Sequence, residues 1–228
     1  MPSSAPPLRV MSTLAVAGLL REMLPALDAP PELIFEPTKS LLDRIAAGER
    51  ADAAILTVEA ADSLVASGIL RADTRREVAV SWVGLAVRAG APRPDIATAE
   101  ALRQTLLDAK SLVYSRAGAS GLYFVGLMER LGLTDALAPK AIVIPAGFTG
   151  EVVARGDAEL AIQQVSELMV VPGLDIVGPL PATLQTPLAF SALLFAGSSR
   201  VGEGTAFLDR LAAAATPEAL ARHGLEPV

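Results

Sequence analysis

The chain has 228 residues, is 52% hydrophobic and carries a net charge of −6, which excludes global disorder and argues against a face for nucleic-acid phosphates. With no cysteine and one histidine, His223, it has no means for disulfides, thiol catalysis, His-rich metal sites or a Ser-His-Asp triad that does without His223. The length suits two small lobes better than one compact domain.

Met1 to Pro7 is short and polar and does not read as a secretory signal, so the expected location is cytoplasmic, or periplasmic if a signal has been removed. Leu8 to Met11 reads as a strand, followed by Ser12-Thr13 and a helical pattern to about Leu27. Glu32 to Phe35 reads as a second strand, and Glu36-Pro37-Thr38 opens a helix through Ala47. Ala53 to Leu56 is a third strand, with Thr57 leading a helix to about Ser67. This alternation predicts a parallel sheet with right-handed crossovers.

Glu77 to Arg88 breaks the rhythm with a long β-rich run, which at about 3.3 Å per residue can leave one lobe and enter another. The alternation then resumes: helix Thr98 to Ala109, strand Ser111 to Tyr114, helix Ser120 to Leu131, strand Ala141 to Ile144, a helix from Thr149 and strand Leu160 to Gln163. Ile176 to Pro181 and Ala189 to Phe195 are β-like, and two closing helices, about Val201 to Ala214 and Pro217 to His223, return to the first lobe. His223 reads as a surface or helix-end residue. The expected division is residues 1–82 with 185–228 in lobe 1 and 83–184 in lobe 2, each a mostly parallel sheet flanked by helices, with a cleft between them. No uninterrupted apolar run of about eighteen residues appears, so no membrane span is expected.

In open parallel sheets ligands bind beyond the carboxyl ends of the strands. Nearly every junction there carries a hydroxyl or amide: Ser12-Thr13, Thr38-Lys39-Ser40, Thr57, the segment Ser115 to Gly121, Gly147-Phe148-Thr149 and Gln164-Val165-Ser166. Singly, such residues serve as helix N-caps. Collectively, helix N-termini that converge offer free N–H groups and partial positive charge, enough to hold a small anion on an acidic protein. In Tyr114-Ser115-Arg116-Ala117-Gly118-Ala119-Ser120-Gly121, small residues admit close backbone approach and Arg116 offers a planar fork for a carboxylate. Ser115, Arg116, Ala119, Ser120 and Gly121 are therefore candidate ligand residues; the alternative is a glycine-rich connection with a solvated arginine. The segment lacks the GK[ST] of a nucleotide phosphate loop.

Lys39 is one of three lysines against sixteen arginines and stands at a helix start, where the dipole disfavours it. It is a candidate anion partner and, with a burial-lowered pKa, a candidate proton carrier; otherwise it is a surface lysine. Glu36 and Glu167 are candidate acids or bases near the same edge. Gln163 and Gln164 can orient a ligand, although strand alternation lets only one of them face it.

Arg9 to Leu14, Arg50 to Leu56, Arg76 to Ala79 and Pro217 to Leu225, together with the order of elements, resemble type II periplasmic solute-binding proteins. The similarity is greatest to the molybdate-binding branch, in a fold family that also includes aconitate isomerase. It covers essentially the whole chain. The resemblance implies a two-lobed α/β fold with no cofactor or metal, a small anionic ligand, a transporter permease as partner if the chain is exported, and oxyanion contacts from Ser12 and from Thr38 or Ser40. Molybdate binders use neutral donors, so Arg116 and Lys39 here favour an organic carboxylate. Three readings follow: an anion-binding protein, a cofactor-free isomerase or tautomerase of an unsaturated di- or tricarboxylate with Lys39 or a glutamate carrying the proton, or an intracellular ligand sensor.

Overall fold

A computed structural model describes residues 6–228; residues 1–5, part of the Met1 to Pro7 segment, lie outside the described residues. The chain divides into two compact units. The first runs up to Val80 and includes Ala189–Arg222 and Glu226–Val228; the second is Ser81–Leu188 with His223–Leu225.

The first unit begins β1 (Arg9–Ser12), α1 (Ala17–Met23), β2 (Glu32–Phe35), α2 (Thr38–Ala46), β3 (Ala53–Thr57), α3 (Val58–Ala66) and β4 (Arg76–Ser81). The second unit contains β5 (Val83–Arg88), α4 (Ala99–Asp108), β6 (Leu112–Ser115), α5 (Ala119–Arg130), α6 (Thr134–Leu137), β7 (Ala141–Ile144), α7 (Thr149–Arg155), β8 (Leu160–Gln164), α8 (Val165–Met169) and β9 (Leu174–Pro179). The chain then supplies the first unit with β10 (Leu188–Leu194), α9 (Val201–Ala214) and α10 (Pro217–Arg222).

Each unit holds one five-stranded sheet, ordered β2-β1-β3-β10-β4 in the first and β7-β6-β8-β5-β9 in the second. The mostly parallel sheets expected from the sequence are present, each with an antiparallel strand inserted. The strands delivered by βα units, β2-β1-β3 and β7-β6-β8, pair in parallel. β10 runs antiparallel to β3, and β5 runs antiparallel to both β8 and β9. These two strands belong to the segments that pass from one unit's sequence to the other's and arrive without a crossover helix, which parallel pairing requires. The long run Glu77 to Arg88 is two strands, broken at Trp82, each in a different sheet.

Alternation sorts side chains to the two faces of each sheet. In the second unit Leu85 and Ile162 pack with Leu102, Leu106, Phe124 and Leu127, whereas their chain neighbours Ala86 and Ala161 pack with Val113, Val152, Val153 and Leu168. In the first unit Met11, Leu56 and Leu193 from the sheet meet Leu41, Ile45 and Leu64 from α2 and α3. β3 is buried at all five positions, as a strand covered on both faces must be. Among the described residues no helix is long and apolar enough to cross a membrane.

Candidate functional site

Because β1, β2 and β3 are parallel, Ser12, Phe35 and Thr57 close the same edge of the first sheet. Ser12 is fully buried and its hydroxyl donates to the Thr13 carbonyl at 3.0 Å. Thr13, also buried, donates its amide to Ile55 O. Thr57 Oγ1 accepts from Ala60 N at 3.4 Å, so it caps α3. α2 starts differently. Pro37 precedes it and supplies no side-chain cap, which leaves the first-turn amides of Thr38, Lys39 and Ser40 without a capping acceptor. Thr38 is buried, Ser40 half-buried and Lys39 exposed, with its ammonium 2.8 Å from Asp43 one turn on. An exposed pair of this kind contributes ~0.5 kcal/mol, so it does not withdraw Lys39 from a competing anion. Glu36, the other acid of this edge, is ion-paired to Arg44, which also holds Glu49 at 2.7 Å. His223 follows the last residue of α10 and is half-buried.

In the second unit the corresponding edge is closed by Ser115, Ile144 and Gln164. Ser115 is buried and its Oγ accepts from Gly118 N at 3.2 Å, folding the loop so that α5 starts directly over the end of β6. Arg116 donates its backbone amide to Ile144 O, while its side chain is exposed and forms no ion pair among the described residues. α5 has no side-chain cap on its own first turn, Ser120 is buried there beside Ala119, and Gly121 lies so near β6 that no side chain fits. The loop thus presents free amides, a hydroxyl and one unpaired guanidinium at one place.

Gln163 and Gln164 follow strand alternation and do different jobs. Gln163 accepts from Thr149 N at 2.7 Å and Thr149 Oγ1 at 2.8 Å, and its nitrogen donates to Gly147 O at 3.0 Å. It therefore fixes the start of α7. In the orientation where its amide nitrogen faces acceptors, Gln164 donates to Ser81 O, Trp82 O and Ser81 Oγ at 3.1–3.3 Å. Ser166 Oγ lies 3.1 Å from Ser81 Oγ. Gln164 and Ser166 are thus tied to the segment that leads into β5. Glu167, in the first turn of α8, is 7% exposed; burial pushes its carboxyl up to about 8, against a hydrogen bond from Gln163 that lowers it. A carboxyl of this kind holds a proton near neutral pH. Thr149 and Gln163, bonded to each other across fourteen residues, adjoin Glu167, a grouping that no local pattern reveals. Among the described residues no three His, Cys, Asp or Glu side chains converge as metal ligands.

A cavity of about 520 Å³ in the second unit lies elsewhere, lined by Arg88, Pro92, Asp108 and Glu159 at the opposite ends of the strands.

Residues 12–226 match the family described as bacterial extracellular solute-binding protein. The chain belongs to this family. It is also 38% identical over 232 residues to an aconitate isomerase of a Pseudomonas species, an alignment that covers 97% of this chain and 88% of that protein. Among solved structures it is similar to the periplasmic molybdate-binding protein of Azotobacter vinelandii, with a TM-score of 0.75 at 16% identity over 96% of this chain and 98% of the other. The sulfate-binding protein of Mycobacterium tuberculosis gives a TM-score of 0.74 at 16% identity, covering 98% and 88%. These two share the fold of the solute-binding family member described here, and the solute-binding resemblance read from the sequence holds.

Proposed function

We propose that this solute-binding family member binds a small organic polycarboxylate at the strand ends. The observation that carries the reading is the loop from Ser115 to Gly121. It sets an unpaired guanidinium beside the uncapped first turn of a twelve-residue helix and a buried hydroxyl. A guanidinium binds a planar carboxylate through two parallel hydrogen bonds, and the helix start supplies neutral donors for a second one. The first unit's edge offers donors of the same neutral kind at Thr38 and Ser40. If the chain is exported, a transporter permease is the partner this reading expects.

A second reading, that the bound acid is isomerised, is favoured by the 38% identity to an aconitate isomerase along nearly the full length of both chains. In such a reaction a proton leaves the saturated carbon of an allylic acid, the double bond shifts, and a proton returns at the far carbon. Nothing is oxidised and no cofactor takes part.

Titration calorimetry against cis-aconitate, trans-aconitate, citrate, molybdate and sulfate tests the first reading. Heat from the carboxylates with none from the tetrahedral oxyanions supports it; the reverse pattern overturns it.

A further inference from the structure

Within the isomerisation reading, on which this step rests, we infer that Glu167 is the group that carries the proton between the two carbons. It stands in the first turn of α8, directly after the carboxyl end of β8, on the sheet edge that also presents the starts of α5 and α7. Gln163, whose side chain lies close enough to lower its pKa, at the same time binds Thr149 N and Oγ1, so the carboxyl neighbours the residue that positions α7. It is enclosed without a cationic partner. The elements packed against α8 are β5, β8, β9 and α7. Their ionisable residues are Arg88, Asp175, Glu151 and Arg155; Asp175 pairs with Arg93 and Arg155 with Asp157, and none forms an ion pair with Glu167. His223 precedes Gly224, where a side chain would run into Val165, Ser166 and Met169 of α8.

Other acids and bases near the strand ends suit the task less well. Glu36 is neutralised by Arg44, and Lys39 is exposed to water on Asp43. Among the described residues Glu167 alone combines burial with an ionisable group at this edge that lacks an ion-pair partner. In the step itself the Glu167 carboxylate removes a proton from the methylene carbon. That C–H bond's electrons enter the new double bond, and the electrons of the old double bond become a C–H bond as Glu167 returns the proton to the distal carbon. Arg116 holds a carboxylate while the charge is delocalised. Only the ionised carboxylate starts the cycle, so burial that favours the neutral acid makes the rate climb with pH.

The experiment uses the full chain with trans-aconitate, following isomerisation and deuterium incorporation in D₂O by NMR, and binding by calorimetry. For the wild type, kcat/KM should rise about tenfold per pH unit below about pH 8 and level off above it. Glu167→Gln replaces the neutral acid by a neutral amide of the same shape. It should bind trans-aconitate within threefold of the wild type and lose a hundredfold or more in turnover. Glu167→Asp should restore part of the turnover together with a pH-dependent rate, and His223→Gln should leave the profile where it was. Turnover in Glu167→Gln within threefold of the wild type, with the same pH profile, overturns the assignment while the isomerase reading stands. A wild type that binds trans-aconitate but neither isomerises it nor exchanges deuterium overturns that reading, and the role of Glu167 with it. If Glu167→Gln does not fold, Glu167→Asp decides: wild-type turnover with an unshifted profile counts against a proton carrier at this position.

Discussion

Gly121 and Gly126 lie on the same helix, and replacing each by alanine should move stability in opposite directions. A Cβ on Gly121 would sit 1.7 Å from Ser115 O and 2.8 Å from Ser115 C, main-chain atoms at the end of β6 that cannot rotate aside. Forcing atoms into a packed interior costs ~1–3 kcal/mol, and a main-chain obstacle puts this case at the top of that range. Alanine's helix propensity returns ~1 kcal/mol. The net loss is ~2 kcal/mol, or about 4–8 °C of Tm for a chain of this size. At Gly126 a Cβ would meet only Arg130 Nη1, at 3.5 Å, so Gly126→Ala keeps the propensity gain and should raise Tm by about 2–4 °C. Thermal unfolding followed by circular dichroism measures both, and calorimetry with a carboxylate ligand adds a second readout. Gly121→Ala displaces the turn that carries Ala119 and Ser120, so affinity should fall there and not in Gly126→Ala. Equal stability and equal affinity in the two variants would refute the close approach of α5 to β6 and its role in shaping the loop.

Arg116→Ala should weaken carboxylate binding by tenfold or more, the cost of two charge-assisted hydrogen bonds, while Tm stays put because the side chain is exposed and makes no ion pair. Calorimetry of the two proteins checks it, and an unchanged Kd removes Arg116 from the site. Stability should also respond to pH through Glu167. Its carboxyl titrates at about 8 in the fold against 4.5 ordinarily, so between those values the folded chain binds more protons than the unfolded one. The stabilisation is complete below about pH 4.5 and is lost as pH rises through about 8, with a slope of at most ~1.4 kcal/mol per unit. Urea unfolding at pH 5, 6, 7 and 8 should show this decline in the wild type and a flatter line in Glu167→Gln. Parallel lines would mean that the carboxyl is not buried in solution.

The alternation of strands and helices was legible because each βα unit places its own signals close together: an apolar run, a hydroxyl or proline, then a 3.6-residue period. The directions of two interior strands were not. β5 and β10 are apolar runs like the others, and only their distant partners decide that they run antiparallel. The break at Trp82 is invisible for the same reason, since both halves of the run favour strands. Within the site, Thr57 shows how a single hydroxyl satisfies two interpretations: it is an N-cap by geometry, and its proton is still free to donate. The Lys39–Asp43 pair was open to reading from its spacing of four, whereas the bonds from Gln163 to Thr149 join residues fourteen apart and follow from the fold alone.

An acidic chain that holds a polyanion must win locally what it loses at long range. With a net charge of −6 spread over the chain, screening beyond about 8 Å at physiological salt leaves a bound carboxylate to its immediate neighbours. On the second unit's edge these are backbone amides, hydroxyls and one guanidinium, and the nearby acid, Glu167, is held in its neutral form near pH 7. A carboxylate partner that was ionised there would repel the ligand; a neutral one does not. The same burial that keeps Glu167 from opposing the ligand also makes it a stronger base once it does ionise. Binding and proton transfer therefore ask for the same environment at this position. A member of a solute-binding family can on this argument acquire chemistry without rebuilding its site, because one buried carboxyl beside the strand ends serves both.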